Sequence, residues 1–302
     1  MPEKVQIQIV TYNSREHLEQ LFCGINNQEK SLYSVLVIDN ASKDETVEWI
    51  RSNEPEVKII RNLENRGFAA GHNQGFAMCE SEHVLILNPD TELQKGFLQE
   101  CVDVIESDEQ IASVGGVLYQ QLPKDGKNGV IDSLGLEMRI NGQILDIGQN
   151  KPLNSNFRLK TDVFGVSGAC ALYRLSAIKQ VKDENGILDE RFGLYSLKDD
   201  ADLAWRLNNS GFKAKIASKA IAYHSRKTRL GDDRKNRTDE VNQSSIRNHL
   251  MMLKKNLSWK DIWRINFILS YEIIKFIYVA LFERQNLKAY FKNIKNQTSN
   301  IK

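Results

Sequence analysis

Residues 5–12 (VQIQIVTY) alternate apolar and polar side chains, the period of a strand with one partly exposed face. Asn13 and Ser14 then offer helix N-cap side chains, and Leu18, Leu21 and Phe22 recur at helical spacing up to Gly24. The continuous apolar run VLVIDN (35–40) ends in Asp-Asn, which predicts a buried parallel strand with its polar end at a site. Ser42, Asp44 and Glu45 open a second helix through Val47 and Ile50, and VKIIRN (57–62) predicts a third strand. A Gly-rich stretch, NRGFAAGHNQGF (65–76), leads into a short helix, and HVLILNPDTEL (83–93) predicts a fourth strand running into a polar turn. Repeated strand–helix units of this kind build an α/β sheet. Such sheets bind ligands beyond the carboxyl ends of their strands, where TYN, DN and NPD converge.

Residues 111–180 contain the strand-like runs SVGGVLY and VFGVSGACALYR around a polar segment, 124–156, that reads as a hairpin or acceptor-side insertion. From Leu197, KDDADLAWRLNNSGF predicts a helix with three carboxylates in its first turn and Gly211 just past its end. Short strands around AKIAS and AIAYHS follow, then the charged run RKTRLGDDRKNR (226–237). Residues 262–282 are long enough to span a bilayer, but Arg264, Glu272 and Lys275 interrupt them. A helix lying in the interface fits better, with Trp259, Trp263, Tyr271 and Tyr278 beside the apolar face. The alternative is packing on its own domain or on a second copy, as in a homodimer. The expected division is an α/β domain over 1–250 and a basic, amphipathic helical region over 251–302.

Charge sharpens that division. The net charge of +2 gives no reason to expect a nucleic-acid binder, yet residues 251–302 hold ten Lys/Arg against three Asp/Glu. That excess suits an anionic membrane surface. Four scattered cysteines (Cys23, Cys79, Cys101, Cys170) suggest neither a zinc site nor a disulfide framework. The N-terminus lacks the pattern of a secretion signal, so the expected location is cytoplasmic, peripheral on the inner face of the cell membrane.

Asp90, at a strand end beside a proline turn, is a natural ligand for a hard divalent cation that also meets diphosphate oxygens, although Asn-Pro-Asp is an ordinary turn sequence too. Asp199, Asp200 and Asp202 crowd one helix start; capping explains one or two of them, and a base that accepts a hydroxyl proton explains another. Arg206 is the helical ion-pair partner of Asp202. The Gly-rich stretch has neither Walker nor dinucleotide spacing, but its backbone can approach a ligand closely, with Arg66 near phosphate.

Taken in order, VTYNS (10–14), VIDNASKDET (37–46), NRGFAAGHNQG (65–75), LNPDTEL (87–93), VSGACALYR (166–174), FGLYSLKDDADLAWRLNNSGFK (192–213) and AYHS (222–225) resemble the GT-A-fold glycosyltransferases of family 2. The resemblance is to the rhamnosyltransferase-like branch, with Asn-Pro-Asp where other members carry Asp-x-Asp, and it covers residues 5–226. It implies an inverting transfer from a nucleotide-sugar, preferably dTDP-rhamnose, to a saccharide or lipid-linked acceptor, with Mg²⁺ or Mn²⁺ as cofactor. By the same resemblance Thr11, Tyr12 and Asn13 line the nucleotide pocket, Asp39 bonds the base, and Asn40, Ser42 and Asp44 sit close by. Arg66, Gly67, Phe68, Gly71 and Asn73 border the donor, Asn88 and Asp90 meet the sugar-diphosphate, and Asp90 and His224 hold the metal. Asp200 is the base, and Asp199 replaces the usual Glu on the acceptor side. The competing readings are a sugar-nucleotide pyrophosphorylase, whose Gly-rich loop after the first strand is missing from VTYNSREHLEQ, and a catalytically silent nucleotide-sugar-binding protein.

Overall fold

The apolar run at the start of the chain forms β1 (Val5–Thr11), the hub of the sheet. It pairs in parallel with β2 (Tyr33–Asp39), which in turn pairs with β3 (Lys58–Arg61), and on its other side with β4 (His83–Leu87). The computed structural model describes residues 3–120, 129–152, 159–194, 197–225 and 237–291. Beyond β4 lie antiparallel β11 (Cys170–Arg174), then β6 (Ile111–Tyr119), β12 (Lys213–His224) and β10 (Asp162–Val163). Two short strands complete this sheet among the described residues, β5 (Thr91–Leu93) on β12 and β7 (Ile131–Ser133) on β6. A separate hairpin, β8 (Leu136–Met138) with β9 (Ile144–Asp146), occupies part of the polar segment 124–156. Its portions 124–128 and 153–156, and most of 226–237, lie outside the described residues.

Each face of the sheet has its own apolar layer. α1 (Leu18–Asn26) and α4 (Phe97–Glu106) bury Leu21, Phe22, Leu98 and Val102 against Ile7, Ile9 and Leu85. α3 (Gly67–Met78), α5 (Leu175–Gln180) and α6 (Asp199–Asn209) bury Phe76, Ile178 and Leu203 against Val84 and Ile86. α2 (Thr46–Asn53) covers the β2–β3 end through Val47 and Ile50. AKIAS and AIAYHS form one strand, β12, with an irregularity between Ile216 and Ile221.

Two expectations change. The Gly-rich stretch does not lead into a helix; it is the helix α3. Its glycines serve the sheet, because a Cβ at Gly71 would lie 2.8 Å from a Val10 methyl and one at Gly75 2.7 Å from the Gln8 amide. Close helix–strand approach, more than ligand approach, accounts for them. The expected division at residue 250 falls inside α7 (Asp239–Asn256), whose Met251, Met252 and Leu253 pack with Trp205, Phe192 and Ile268.

The chain then turns through α8 (Ile265–Phe282) and α9 (Lys288–Phe291). α8 is inverted relative to an ordinary surface helix. Its polar side faces the protein: Glu272 bonds His249 at 2.8 Å, Lys275 follows at 3.7 Å, and Tyr271 accepts from Gln143 at 2.6 Å. Arg264, just before it, is buried on Asp261. Outward project Trp259, Ile262, Trp263, Phe267, Ile273, Ile274, Ile277, Leu281 and Phe282, each at least half exposed. By length and composition, Trp259–Phe282 is apolar enough to cross a membrane.

Candidate active site

The carboxyl ends of β1 and β2 are knitted together before any ligand arrives. Thr11 donates to Asp39 Oδ1 (3.0 Å), and the Ser42 amide donates to Oδ2 (3.0 Å), so Asp39 is fully enclosed. The Asn13 amide donates to the Ser42 hydroxyl (2.9 Å), while Asn13 Oδ1 accepts from the Lys43 amide (2.8 Å). Asn13 and Ala41 adopt left-handed backbone (φ 49° and 62°), strain held in place by this lattice of bonds. Asp44 accepts from the amides of Arg15 and Thr46, which joins the two loops; burial opposes its charge, but these bonds and the Thr46 hydroxyl outweigh it and lower its pKa. Tyr12 stays half exposed above the pocket.

Asn40 links this pocket to α3 by donating to the Gly67 carbonyl (3.0 Å), where Gly67 turns with φ +81°. Arg66 is exposed at the same corner, and Phe68 lies edge-on to His72. Gly71 faces Val10, and Asn73 is spent on the Leu188 backbone and Glu190. These contacts tie the corner to β1 and to the 188–190 segment.

The second group forms where β4, β7 and β12 end. His224 bridges two carboxylates, Nδ1 at 2.8 Å from Asp132 and Nε2 at 3.2 Å from Asp90, with the Asn88 amide at 3.4 Å. Burial opposes a charge on His224, but the hydrogen bonds to Asp132 and Asp90 overcome it and raise the pKa to about 9. Asp90 feels the reciprocal effect: burial pulls its pKa up, and His224 pulls it further down. Asp90 Oδ1 and the His224 Nε2 that faces it could hold a cation such as Mn²⁺ once that ring nitrogen gives up its proton, with Asp132 behind the ring fixing its orientation. Asp132 was not visible in the sequence; it sits in β7, inside the segment read as an insertion, and only its alternation in VIDSLGL hinted at a strand.

Asp200 is tied to the same corner. Its Oδ2 accepts from the Gly168 amide (3.1 Å) and its Oδ1 from the Ala201 amide (2.8 Å). The carbonyl of the next residue, Ala169, accepts from the Asn88 amide (2.9 Å), so a two-residue stretch joins the Asp200 carboxylate to the Asn-Pro-Asp turn. Gly168 permits this approach, since a Cβ there would meet Asp200 at 3.3 Å. Lys198, with φ +88°, is the N-cap, and no side chain caps the helix; the carboxylates of the first turn have other uses. Asp199 is enclosed, 1% exposed. Asp202 pairs with Arg206 (2.9 Å) as the spacing suggests, and also with Lys255 (3.0 Å) and Asn256 (2.7 Å) from α7.

Residues 7–182 match Glycosyl transferase family 2. The chain is 25% identical to an N-acetylglucosaminyl-diphospho-decaprenol L-rhamnosyltransferase of Mycobacterium tuberculosis, over 77% of this chain and 80% of that protein. It is 30% identical to a dolichol-phosphate mannosyltransferase of Pyrococcus furiosus over 36% of this chain, and spans about a third (32%) of that protein's length. Among solved structures, a mannosyltransferase from Pyrobaculum calidifontis in complex with GDP-Man and Mn²⁺ superposes with a TM-score of 0.59 at 17% identity, covering 96% of this chain and 73% of that one. The strand ends, the bridged histidine and the match over more than half the chain agree: this protein belongs to glycosyl transferase family 2 and is a glycosyltransferase of GT-A fold.

Proposed function

We propose that the protein is an inverting, divalent-cation-dependent glycosyltransferase that adds a sugar to a lipid-linked saccharide at a membrane surface, in the assembly of a cell-surface polysaccharide. The observation that supports this reading is the Gly168–Ala169 stretch, whose Gly168 amide bonds the Asp200 carboxylate and whose Ala169 carbonyl bonds the Asn88 amide of the Asn-Pro-Asp turn. The nucleotide rests at the β1–β2 ends around Asp39 and Asn13, with Arg66 near phosphate. Asp90 and His224 would hold the cation, which when bound neutralises diphosphate charge. Asp200 takes the proton of the acceptor hydroxyl as its oxygen forms a bond to the anomeric carbon. The bond from that carbon to the diphosphate oxygen breaks on the opposite face, and the configuration inverts. The rhamnosyltransferase relative, similar over most of both chains, makes dTDP-rhamnose the preferred donor.

The membrane seat rests on α8. Its outer face is apolar along the helix, its charges are turned inward, and the surrounding region carries the basic excess. On this reading the protein sits on the cytoplasmic face, with the acceptor presented from the lipid.

Replacement of Asp200 by Asn tests the reading. Affinity for the nucleoside diphosphate should remain, while turnover falls by about two orders of magnitude or more, as for loss of a general base. Near-normal turnover, or a product that retains the donor's anomeric configuration, would overturn it.

A further inference from the structure

The segment from Phe192 to Leu197 runs between the corner where α3 begins and the carboxylates of α6. At its start, Gly193 and Leu194 lie on Gly67: a Cβ there would stand 3.2 Å from Leu194 Cα and 3.5 Å from the Gly193 carbonyl oxygen. The Gly67 carbonyl in turn accepts from Asn40, next to Asp39 at the end of β2. At its finish, Leu197 precedes Lys198, whose left-handed backbone (φ +88°) turns the chain into α6 and so into Asp200. No side chain caps α6 to fix where its first turn starts.

One side chain on α7 grips both ends of this segment. Asn248 is wholly enclosed, and its amide nitrogen donates to the carbonyls of Phe192 and Leu197, both at 3.0 Å. Its Oδ1 accepts from Arg247 Nε (3.1 Å) and Nη2 (2.9 Å), and Nη2 also reaches the Phe192 carbonyl (3.3 Å). A carboxamide has two N–H donors and two acceptor positions, and all four are filled here, so the group cannot turn without losing bonds. Buried and fully bonded, it stiffens what it touches. The spacing of the two carbonyls, and with it the span from Gly67 to Asp200, follows the two N–H directions of a single amide.

We infer that Asn248 is a positioning residue for glycosyl transfer: it holds the 192–197 segment so that Asp200 stays in register with the donor at the Gly67 corner. Asn248 acts through Asp200 and not on the substrates, and Arg247 supports it by fixing the amide from behind. Displacing a reacting group by about 1 Å costs up to about a hundredfold in rate, so a change in the span of this segment reaches turnover without removing any group that bonds the donor. The inference rests on the proposed role of Asp200 as the base.

The test uses full-length protein in detergent micelles with dTDP-rhamnose and Mn²⁺, and follows donor hydrolysis, in which water stands in for the acceptor hydroxyl. Asn248→Asp keeps the side-chain shape but turns an oxygen toward the two carbonyls, which repels them. Turnover per dTDP-binding site should fall by about tenfold or more, with dTDP affinity within about twofold of wild type. A residue that acts through Asp200 loses its effect once that carboxylate is gone. In an Asp200→Asn background the same change should therefore lower the residual rate by less than about twofold. General damage to the fold would cut the rate by the same factor in both backgrounds, and that result overturns the inference. Arg247→Met, which frees Asn248 Oδ1 and leaves Asn248 in place, should show the same pattern more weakly and serves where the Asp variant fails to fold. Unchanged turnover in the variants also overturns the inference. Near-normal hydrolysis by Asp200→Asn alone would refute the base assignment, and a wild type that hydrolyses no dTDP-rhamnose would refute the proposed donor; in either case the inference falls with the reading beneath it.

Discussion

Lys255 is the most informative residue to change, because it fastens α7 to α6. Its amine lies 2.8, 2.9 and 3.0 Å from Asp183, Asp189 and Asp202, and the last two carboxylates are wholly enclosed. In Lys255→Met the chain volume is nearly kept and the charge is gone. Removing one partner of a buried pair costs about 3–5 kcal/mol. Arg206 still serves Asp202 (2.9 Å) and Arg191 still serves Asp189 (2.6 Å), so the lower end applies. A loss of about 3 kcal/mol lowers the melting temperature by roughly 5 °C in a chain of this size. The pH dependence has a definite sign. Burial raises the Asp189 and Asp183 pKa values, but hydrogen bonds from Arg191 and Lys255 bring the net below the ordinary 3.8. Their contribution is therefore present above the unfolded-state pKa and is lost as pH falls through the folded-state values. The gap between wild type and variant should be widest near neutral pH and narrow below about pH 4. Urea titrations at several pH values measure it. A loss under about 1 kcal/mol, the level of an exposed pair, would refute the argument that this cluster holds α7 in place.

Asp90→Ala should abolish the Mn²⁺ dependence of nucleoside diphosphate binding, measured by calorimetry; unchanged metal dependence would make the Asn-Pro-Asp turn merely structural. Asp132→Asn, which keeps the shape behind His224 but not the charge, should weaken Mn²⁺ binding by about 10- to 100-fold while leaving metal-free nucleotide binding alone. The double change Ile273→Lys with Ile277→Lys, on the outer face of α8, should release the protein from phosphatidylglycerol vesicles in a sedimentation assay without altering nucleotide affinity. Continued sedimentation would show that this face is not the one that meets lipid.

The convergence of strand ends was legible because its signal is local. Apolar runs ending in TYN, DN and NPD mark buried strands with polar tips, and parallel pairing brings those tips to one edge. The histidine–carboxylate group and the α6–α7 cluster were less legible because their contacts are long-range. Asp132 meets His224 across 92 positions, and Lys255 meets Asp202 across 53; no spacing rule reports either. α3 was misread because glycine weakens helices in isolation, and here contact with β1 overrides that preference. In the C-terminal helix, Arg264, Glu272 and Lys275 read as interruptions of an apolar span. At about 100° per residue they fall within about 80° of one another, a single inward stripe that helical geometry already contained.

β12 is the last strand of the sheet in sequence, yet it lies beside β6 and not at the chain's growing end of the fold. Until it is in place, β6 presents one open edge, and its residues Ile111–Leu118 are all buried in the finished protein. An unpaired edge of that length and apolarity invites pairing with other chains during synthesis. β12 also ends at His224, so the stroke that closes this edge brings the imidazole to Asp90 and Asp132. Completion of the sheet and assembly of the histidine–carboxylate group are thus one event. A nascent or truncated chain that stops short of residue 224 exposes its stickiest edge and, by the same omission, has no complete centre with which to squander activated sugar.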